Sequence, residues 1–323
     1  MKKPLSFLIV QLGRLGDLIL MTPMFQAIKK NYPDSKITVL CGRNNYSFLS
    51  DYPLVDEILV HWKKPLRFLQ LLKTLKTTHF DYWIDPKDHF SRESHFFAAK
   101  ANADHKIGFN IEKKHSFDIP LKSQDEQYDM LVVDRNLAAL STLNIDMSDN
   151  RPKLFETDNS IHKRDQFLQE KSISEYIHIN ISASLKERFW PTEKWKQLVG
   201  KIASKDCMIL ISSDPSDSAI AEEIADTNRH CFRYPTNSFS DVISLVKAAK
   251  LVISPDTSII HIAGAFNRPV IGLYANRPWN LKKFYPLSDK SKVVINQESD
   301  TFIDAITVDN VFSAFRKLEE EIA

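Results

Sequence analysis

The chain has 323 residues, 43% hydrophobic and 26% charged, a balance ordinary for a soluble globular protein and a length better suited to two domains than to one core. Its formal net charge of +2 is too small a bias to mark a nucleic-acid binder, and no apolar run approaches the roughly 20 residues of a membrane span. Three scattered cysteines, Cys41, Cys207 and Cys231, form neither a disulfide framework nor a metal-binding spacing, which suits a reducing, cytoplasmic setting.

Met1-Lys2-Lys3-Pro4 and then Leu5 to Leu12 have the outward form of a secretory signal. Gln11, Arg14 and Asp17 interrupt it and no small-residue cleavage site follows, so a first strand over Phe7–Gln11 is the better reading. A helix over Asp17–Lys30 is predicted next, with Leu18, Met21, Phe25 and Ile28 on its apolar face. Strands at Ile37–Cys41 and Ile58–Val60, a helix at Pro65–Thr77, and strands at Tyr82–Asp85 and Lys106–Phe109 complete a first alternating run. A polar, helix-poor stretch follows around Met147–Asn159. The pattern restarts with strand Tyr176–Ile181, helix Thr192–Ala203, strand Cys207–Ser212 and helix Ser216–Asp226. Helix Phe239–Ala249, strand Leu251–Ser254, helix Ile259–Phe266, strand Val270–Tyr274 and an amphipathic helix Val308–Ile322 finish it. Strands alternating with helices predict βαβ units and parallel sheets. The expected organisation is a Rossmann-like domain over residues 1–155, a linker over 156–175, a second Rossmann-like domain over 176–307, and a closing helix over 308–323 free to pack back on the first domain. Two such halves facing across a central cleft would hold a small-molecule site there.

Three strand-to-helix junctions carry the chemistry. The first, Gln11-Leu12-Gly13-Arg14-Leu15-Gly16-Asp17, has neither the G-x-G-x-x-G fingerprint nor a G-K-[ST] ending, which argues against a dehydrogenase and a P-loop nucleotidase. It leaves Asp17 on a tight turn at a helix start, as N-cap or as general base. The second, Asn180 to Pro191, offers the hydroxyls of Ser182 and Ser184 with the cations Lys186 and Arg188. It reads as a solvated basic loop over Trp190 or as a diphosphate cradle. The third, Ser254-Pro255-Asp256-Thr257-Ser258-Ile259-Ile260-His261, reads as a capped helix N-terminus, with Asp256 or Thr257 as the cap. It reads equally as an anion site, because the first N–H groups of a helix lack partners and its dipole favours negative charge. Asp217 opens a further helix, as cap or as ribose contact. The basic, aromatic segment with Trp62, Lys63, Lys64 and Arg67 is either an amphipathic surface helix or a contact for an anionic glycolipid or membrane, with Arg92, Lys113 and Lys114 available to extend it. His89, His95, His105 and His115 lack ligand spacing, so no metal is expected.

Gly16-Asp17-Leu18-x-x-x-Thr22-Pro23, Arg188-x-Trp190-Pro191 and Asp256-Thr257-x-x-x-His261-x-Ala263, in this order, resemble glycosyltransferase family 9, which contains the heptosyltransferases of lipopolysaccharide core assembly. Phe80–Asp85, Lys106–Phe109, Val133–Leu137 and Arg268–Tyr274 extend the likeness over nearly the whole chain. The resemblance implies an α/β protein of the GT-B fold, two Rossmann-like domains with the acceptor on the first and the nucleotide sugar on the second. It implies inverting, metal-independent transfer of heptose from ADP-heptose to a Kdo or heptose of the inner core, with no cofactor. Asp17 falls on the family's base and Arg188 on its phosphate-contacting cation, so the two are the catalytic candidates. Ser182, Ser184, Lys186, Arg188, Asp217, Asp256, Thr257, Ser258 and His261 are the donor-binding candidates; Gly13, Arg14, Trp62, Lys63, Lys64 and Arg67 are those for the acceptor. The expected partners are a nucleotide sugar and a lipid A-Kdo type glycolipid, with a monomer peripheral to the cytoplasmic face of the inner membrane and no nucleic acid. Ser258 stands where the family usually has glycine, Asn180-Ile181-Ser182 replaces its Pro-Gly, and Ala275–Asn280 lacks its glycine. Another GT-B nucleotide-sugar enzyme, a hexosyltransferase or a 2-epimerase, and a non-catalytic nucleotide-sugar-binding protein are the alternatives.

Overall fold

Strands such as Phe7-Leu8-Ile9-Val10 are apolar on both sides, which demands cover on both faces of a sheet. In the computed structural model, which describes residues 4–322, the chain forms two units, Met1–Lys153 and Leu154–Ala323. Met1–Lys3 of the signal-like opening and Ala323 of the closing helix lie outside the described residues.

The first unit runs β1 (Ser6–Gln11), α1 (Leu15–Ile19), α2 (Thr22–Asn31), β2 (Lys36–Gly42), α3 (Tyr46–Leu49), β3 (Glu57–His61), α4 (Pro65–Thr77), β4 (His79–Ile84), α5 (Arg92–Lys100), β5 (Asn102–Gly108), β6 (Ile119–Pro120) and α6 (Val132–Ala138). Its strands lie in the order β3-β2-β1-β4-β5-β6, all parallel. Leu8, Val10 and Leu40 face Leu71 and Leu75 of α4 and Phe97 of α5, while Phe7 and Ile9 are buried on the opposite face.

The second unit runs α7 (Asp158–Glu170), β7 (Tyr176–Asn180), α8 (Thr192–Ile202), β8 (Met208–Ser212), α9 (Ser218–Ala225), β9 (Cys231–Arg233), α10 (Phe239–Ala248), β10 (Leu251–Pro255), α11 (Ser258–Ala265), β11 (Val270–Ala275), α12 (Pro278–Lys283), β12 (Ser291–Asn296) and α13 (Val308–Ile322). Its parallel order is β12-β11-β10-β7-β8-β9. Ile177, Ile179, Ile209, Ile211, Leu251 and Ile253 form one core with Trp195, Leu198, Ile224 and Phe315. On the other face the Tyr176 hydroxyl donates to the Leu245 carbonyl of α10 at 2.6 Å.

Several expectations are corrected. The single helix over Asp17–Lys30 is two, α1 and α2. Pro23 has no N–H to give and its ring would clash with the Ile19 carbonyl one turn earlier; the Thr22 hydroxyl donates to that carbonyl instead, at 2.7 Å. The stretch 156–175 is no linker. It holds α7, capped by the Thr157 hydroxyl accepting the Ser160 N–H, and α7 is tied to α10 by Lys163 on Asp241 at 2.6 Å. The closing helix is part of the second unit: Val311, Phe315 and Leu318 of α13 enter its core beside Trp190 and Trp195. Three strands, β6, β9 and β12, each at a sheet edge, lie outside the expected elements, as do the helices α3, α5, α6 and α12.

His178 sits wholly buried in β7 with its Nε2 paired to the Ser212 hydroxyl at 2.7 Å. Burial pushes its pKa from the usual 6.5 to about 3. Below pH 6.5 the unfolded chain protonates this ring and the folded chain does not, so stability falls with pH by about 1.4 kcal/mol per unit, across the window from 6.5 toward 3. Urea midpoints at pH 7 and pH 5 test this. In His178→Gln the acid-side loss shrinks, and an unaltered pH slope contradicts a neutral, buried His178.

Candidate functional site

In the second unit the chain moves outward from β7 to β8 and β9, then returns to place β10 on the other side of β7. At such a reversal the loops leaving the two carboxyl ends diverge, and ligands bind there in open α/β sheets. The loops concerned are the two that carry Ser182–Arg188 and Asp256–Ser258.

Asn180, the last residue of β7, is 5% exposed. Its amide donates to the Ser182 carbonyl at 2.9 Å and to the Ser254 hydroxyl at 3.1 Å, pinning the two loops together. The Ser182 hydroxyl donates to Asp217 at 2.5 Å and accepts the Asp214 N–H at 2.9 Å, adding the loop after β8. Asp217 occupies the N-cap position of α9 but makes no cap bond with its side chain; its carboxylate is turned to Ser182.

The choice of cap at α11 is resolved by geometry. Thr257 caps: its backbone is extended and its hydroxyl accepts the Ile259 N–H at 3.3 Å. Asp256 does different work. Its buried carboxylate lies 3.1 Å from Arg188 Nη2 and accepts from the Asn280 amide at 2.8 Å. Arg188 Nη1 also donates to the Asp256 carbonyl at 2.5 Å. One guanidinium is thereby held at the start of α11, with its side chain 24% exposed. A fixed, partly solvated cation beside a helix N-terminus has the chemistry to receive a phosphate-like anion. His261, a turn into α11, is 4% exposed; burial and then the Arg188 charge push its pKa down to about 4, so at neutral pH the ring is uncharged. Ser258 is half-buried at the first turn, while Ser184 and Lys186 stand exposed.

In the first unit the reversal falls between β1 and β4. Gly13 follows β1, its N–H donating to Gln11 Oε1 at 2.8 Å. A Cβ there would lie 2.8 Å from that oxygen and 3.2 Å from Asp17 Oδ2, so the Gln11 side chain would have to shift to admit one. The buried Asn45 amide clamps the turn through the Gly13 carbonyl at 3.0 Å. Asp17, half-buried, accepts the Arg14 N–H at 3.3 Å with one oxygen; Arg14 itself is exposed. Sequence reasoning missed the residues after β4. Asp85 and Asp88 are 3% and 2% exposed, and Asp88 lies 3.2 Å from Arg135 and 3.0 Å from His89. It also missed Asn45 and Asn280, short amides whose spacing marks nothing, although Arg135 stands in a motif already noted.

Trp62, Lys63, Lys64 and Arg67 gather at the start of α4, with the Arg67 guanidinium 4.8 Å above the Trp62 ring. The four histidines have separate partners: Asp88 for His89, Ser116 and Phe109 for His95, Asp118 for His105, and the Glu112 carbonyl for His115. Among the described residues His79, Asp81 and Asp104 bring ligand atoms together, at the amino ends of β4 and β5, the sheet edge opposite the Gly13 turn. Cys41, Cys207 and Cys231 are free, and burial pushes their thiols up to about 12, 11 and 12.

Two parallel α/β units, each with a built polar turn at its strand reversal, define the class of two-Rossmann α/β proteins. The family description "Glycosyltransferase family 9 (heptosyltransferase)" matches residues 68–304, and the chain belongs to that family. It is similar to lipopolysaccharide heptosyltransferase 3 of Escherichia coli, 24% identical over 94% of this chain and 96% of that one. It is also 24% identical to the lipopolysaccharide core heptosyltransferase OpsX of Haemophilus influenzae, over 84% and 79%. In fold it resembles a family 9 glycosyltransferase from Veillonella parvula, with TM-score 0.82 at 18% identity over 99% of both chains. The same holds for E. coli heptosyltransferase WaaC with ADP, with TM-score 0.75 at 18% identity over 99% of both. The protein is a glycosyltransferase of GT-B fold, as the sequence motifs led one to expect.

Because Asp256 is buried between Arg188 and Asn280, removing the cation strands a charge. Arg188→Ala is expected to cost roughly 3 kcal/mol of stability. The double variant Arg188→Ala/Asp256→Ala should lose less than the sum of its parts. Additive losses in urea titrations would show that the pair is not coupled.

Proposed function

We propose that the protein transfers heptose from ADP-heptose, with inversion and without a metal ion, to a Kdo or heptose of the lipopolysaccharide or lipooligosaccharide inner core. The observation that carries this reading is the Arg188 guanidinium, tied to Asp256 and Asn280 at the start of α11, in a family 9 chain. Its relatives by sequence are named lipopolysaccharide heptosyltransferases, and a protein of similar fold is described with ADP. The donor diphosphate rests against Arg188 and the first turn of α11, with Thr257, Ser258 and His261 near the sugar. Lys186 and Ser184 reach it from their exposed loop, and Ser182 and Asp217 lie toward the ribose.

Asp17 takes the proton of the acceptor hydroxyl as that oxygen bonds to the anomeric carbon. The bond from that carbon to the diphosphate oxygen breaks, and the released ADP carries its new charge against Arg188 and the helix N-terminus. Gly13 and Arg14, in the same turn as Asp17, with Trp62, Lys63, Lys64 and Arg67, belong to the acceptor. The enzyme works as a monomer, peripheral to the cytoplasmic face of the inner membrane.

Mass spectrometry of product from ADP-heptose and a lipid A-Kdo type acceptor tests the reaction, and a thermal-shift panel of ADP, UDP and GDP tests the base. Asp17→Ala should lower turnover by roughly 10²–10⁴-fold while ADP affinity stays the same; near-normal turnover removes Asp17 from the base role. Turnover should persist in EDTA, and its loss there would overturn metal independence. Stabilisation by UDP or GDP rather than ADP would favour a hexosyltransferase or an epimerase.

A further inference from the structure

The core-facing stripe of α4 is Phe68, Leu71, Leu72 and Leu75. One helical face away from it, Leu66 and Leu69 are 77% and 61% exposed, and on the same outer face Lys73 and Lys76 are exposed. Positions 66, 69, 73 and 76 repeat at three- and four-residue spacing, so they form one line along the helix. Nothing in the core explains two leucines there.

Two exposed rings distant in sequence flank α4. Tyr46, 43% exposed, lies 6.1 Å from the Trp62 ring, and Phe96, 40% exposed, stacks on Phe68 at 6.0 Å. From residue 58 to residue 80 the chain has five lysines and arginines and no aspartate or glutamate. Glu93 of α5 acts on His61, at the end of the strand that leads into this segment. Exposed leucines and aromatic rings interleaved with cations form an interfacial surface, in which apolar groups enter the acyl boundary and cations meet lipid phosphates.

We propose that the outer face of α4 docks this protein on an anionic phospholipid bilayer, with Leu66 and Leu69 inserted and Lys73 and Lys76 on the headgroups. The charge of the segment selects this occupant: a bilayer of acidic lipids complements five cations with no intervening acid, whereas a second copy of the same face would be repelled. The start of α4 lies at the carboxyl edge of its sheet, the edge that carries the Asp17 turn. A lipid-anchored acceptor would thus meet the chain on its membrane-facing side; this last link rests on the proposed function, and the docking itself does not.

The test is co-sedimentation of the full chain with vesicles of phosphatidylglycerol and phosphatidylethanolamine, against vesicles of phosphatidylcholine alone. Wild type should bind the acidic vesicles, less so as salt rises. Lys73→Glu/Lys76→Glu and Leu66→Ser/Leu69→Ser should each reduce partitioning at least tenfold, since one cation at an acidic surface is worth about fivefold. Unchanged thermal melting shows that the exposed substitutions leave the fold intact. Equal binding to neutral vesicles, no binding to acidic ones, or wild-type binding by both variants would overturn the proposal. So would dimers by light scattering that Leu66→Ser/Leu69→Ser abolishes, because the face would then be a self-association surface. With a water-soluble, deacylated acceptor Leu66→Ser/Leu69→Ser should turn over like wild type, and on vesicle-embedded acceptor it should be slower. Absence of turnover in wild type on both would count against the proposed reaction while leaving the vesicle result to stand.

Discussion

Both units depend on one constraint of parallel sheets. Every strand enters from the same edge, so every strand-to-helix turn emerges at the other, and where the strand order reverses two such turns part company. In the second unit that happens between β7 and β10, and the buried Asn180 amide bonds across the junction. In the first it happens between β1 and β4, where the Asn45 amide clamps the Gly13 turn. The turns at the two reversals are held by these buried amides, whose N–H groups find acceptors in the backbone and in Ser254.

The second-unit site holds its cation in one arrangement. Arg188 is fixed by two contacts to one residue, Asp256, whose carboxylate is shared with Asn280. An arginine held in this way gives up little conformational freedom when an anion arrives, and stabilisation of developing charge by preset groups is the larger part of many catalytic effects. His261 is kept neutral by burial and by that same cation. Its ring therefore adds dipole and shape at neutral pH and does not compete with Arg188 as a charge.

Much of this was legible beforehand, for physical reasons. Apolar runs such as Leu251-Val252-Ile253 must be buried on both faces, and polar residues directly after them mark the strand ends. Amphipathic helices long enough to show their period, Pro65–Thr77 and Val308–Ile322, coincide with α4 and α13. What escaped was set by tertiary pairing. Edge strands β9 and β12 take their form from a neighbour rather than from their own composition. The segment around α7 is polar because only part of it is covered, so its composition reads as a linker. Asp256 and Thr257 are both good caps, and the sequence could not say that a remote Asn280 and Arg188 would claim the first and leave the second to the helix.

The two reversals are also unlike in charge, and the difference follows from which side chains their folds bury. At the second unit's reversal the buried carboxylate of Asp256 holds a cation, and the group left partly facing solvent is a guanidinium. The first does the opposite: Asp88 is satisfied by Arg135 and His89, while Asp17 receives a single long bond from the Arg14 N–H and keeps acceptor capacity on its carboxylate. Ser258 fits the same logic. Thr257 supplies the cap and Arg188 the charge without a glycine at position 258, so a side chain there would limit how near an anion could come to the first turn of α11 while leaving cap and charge in place.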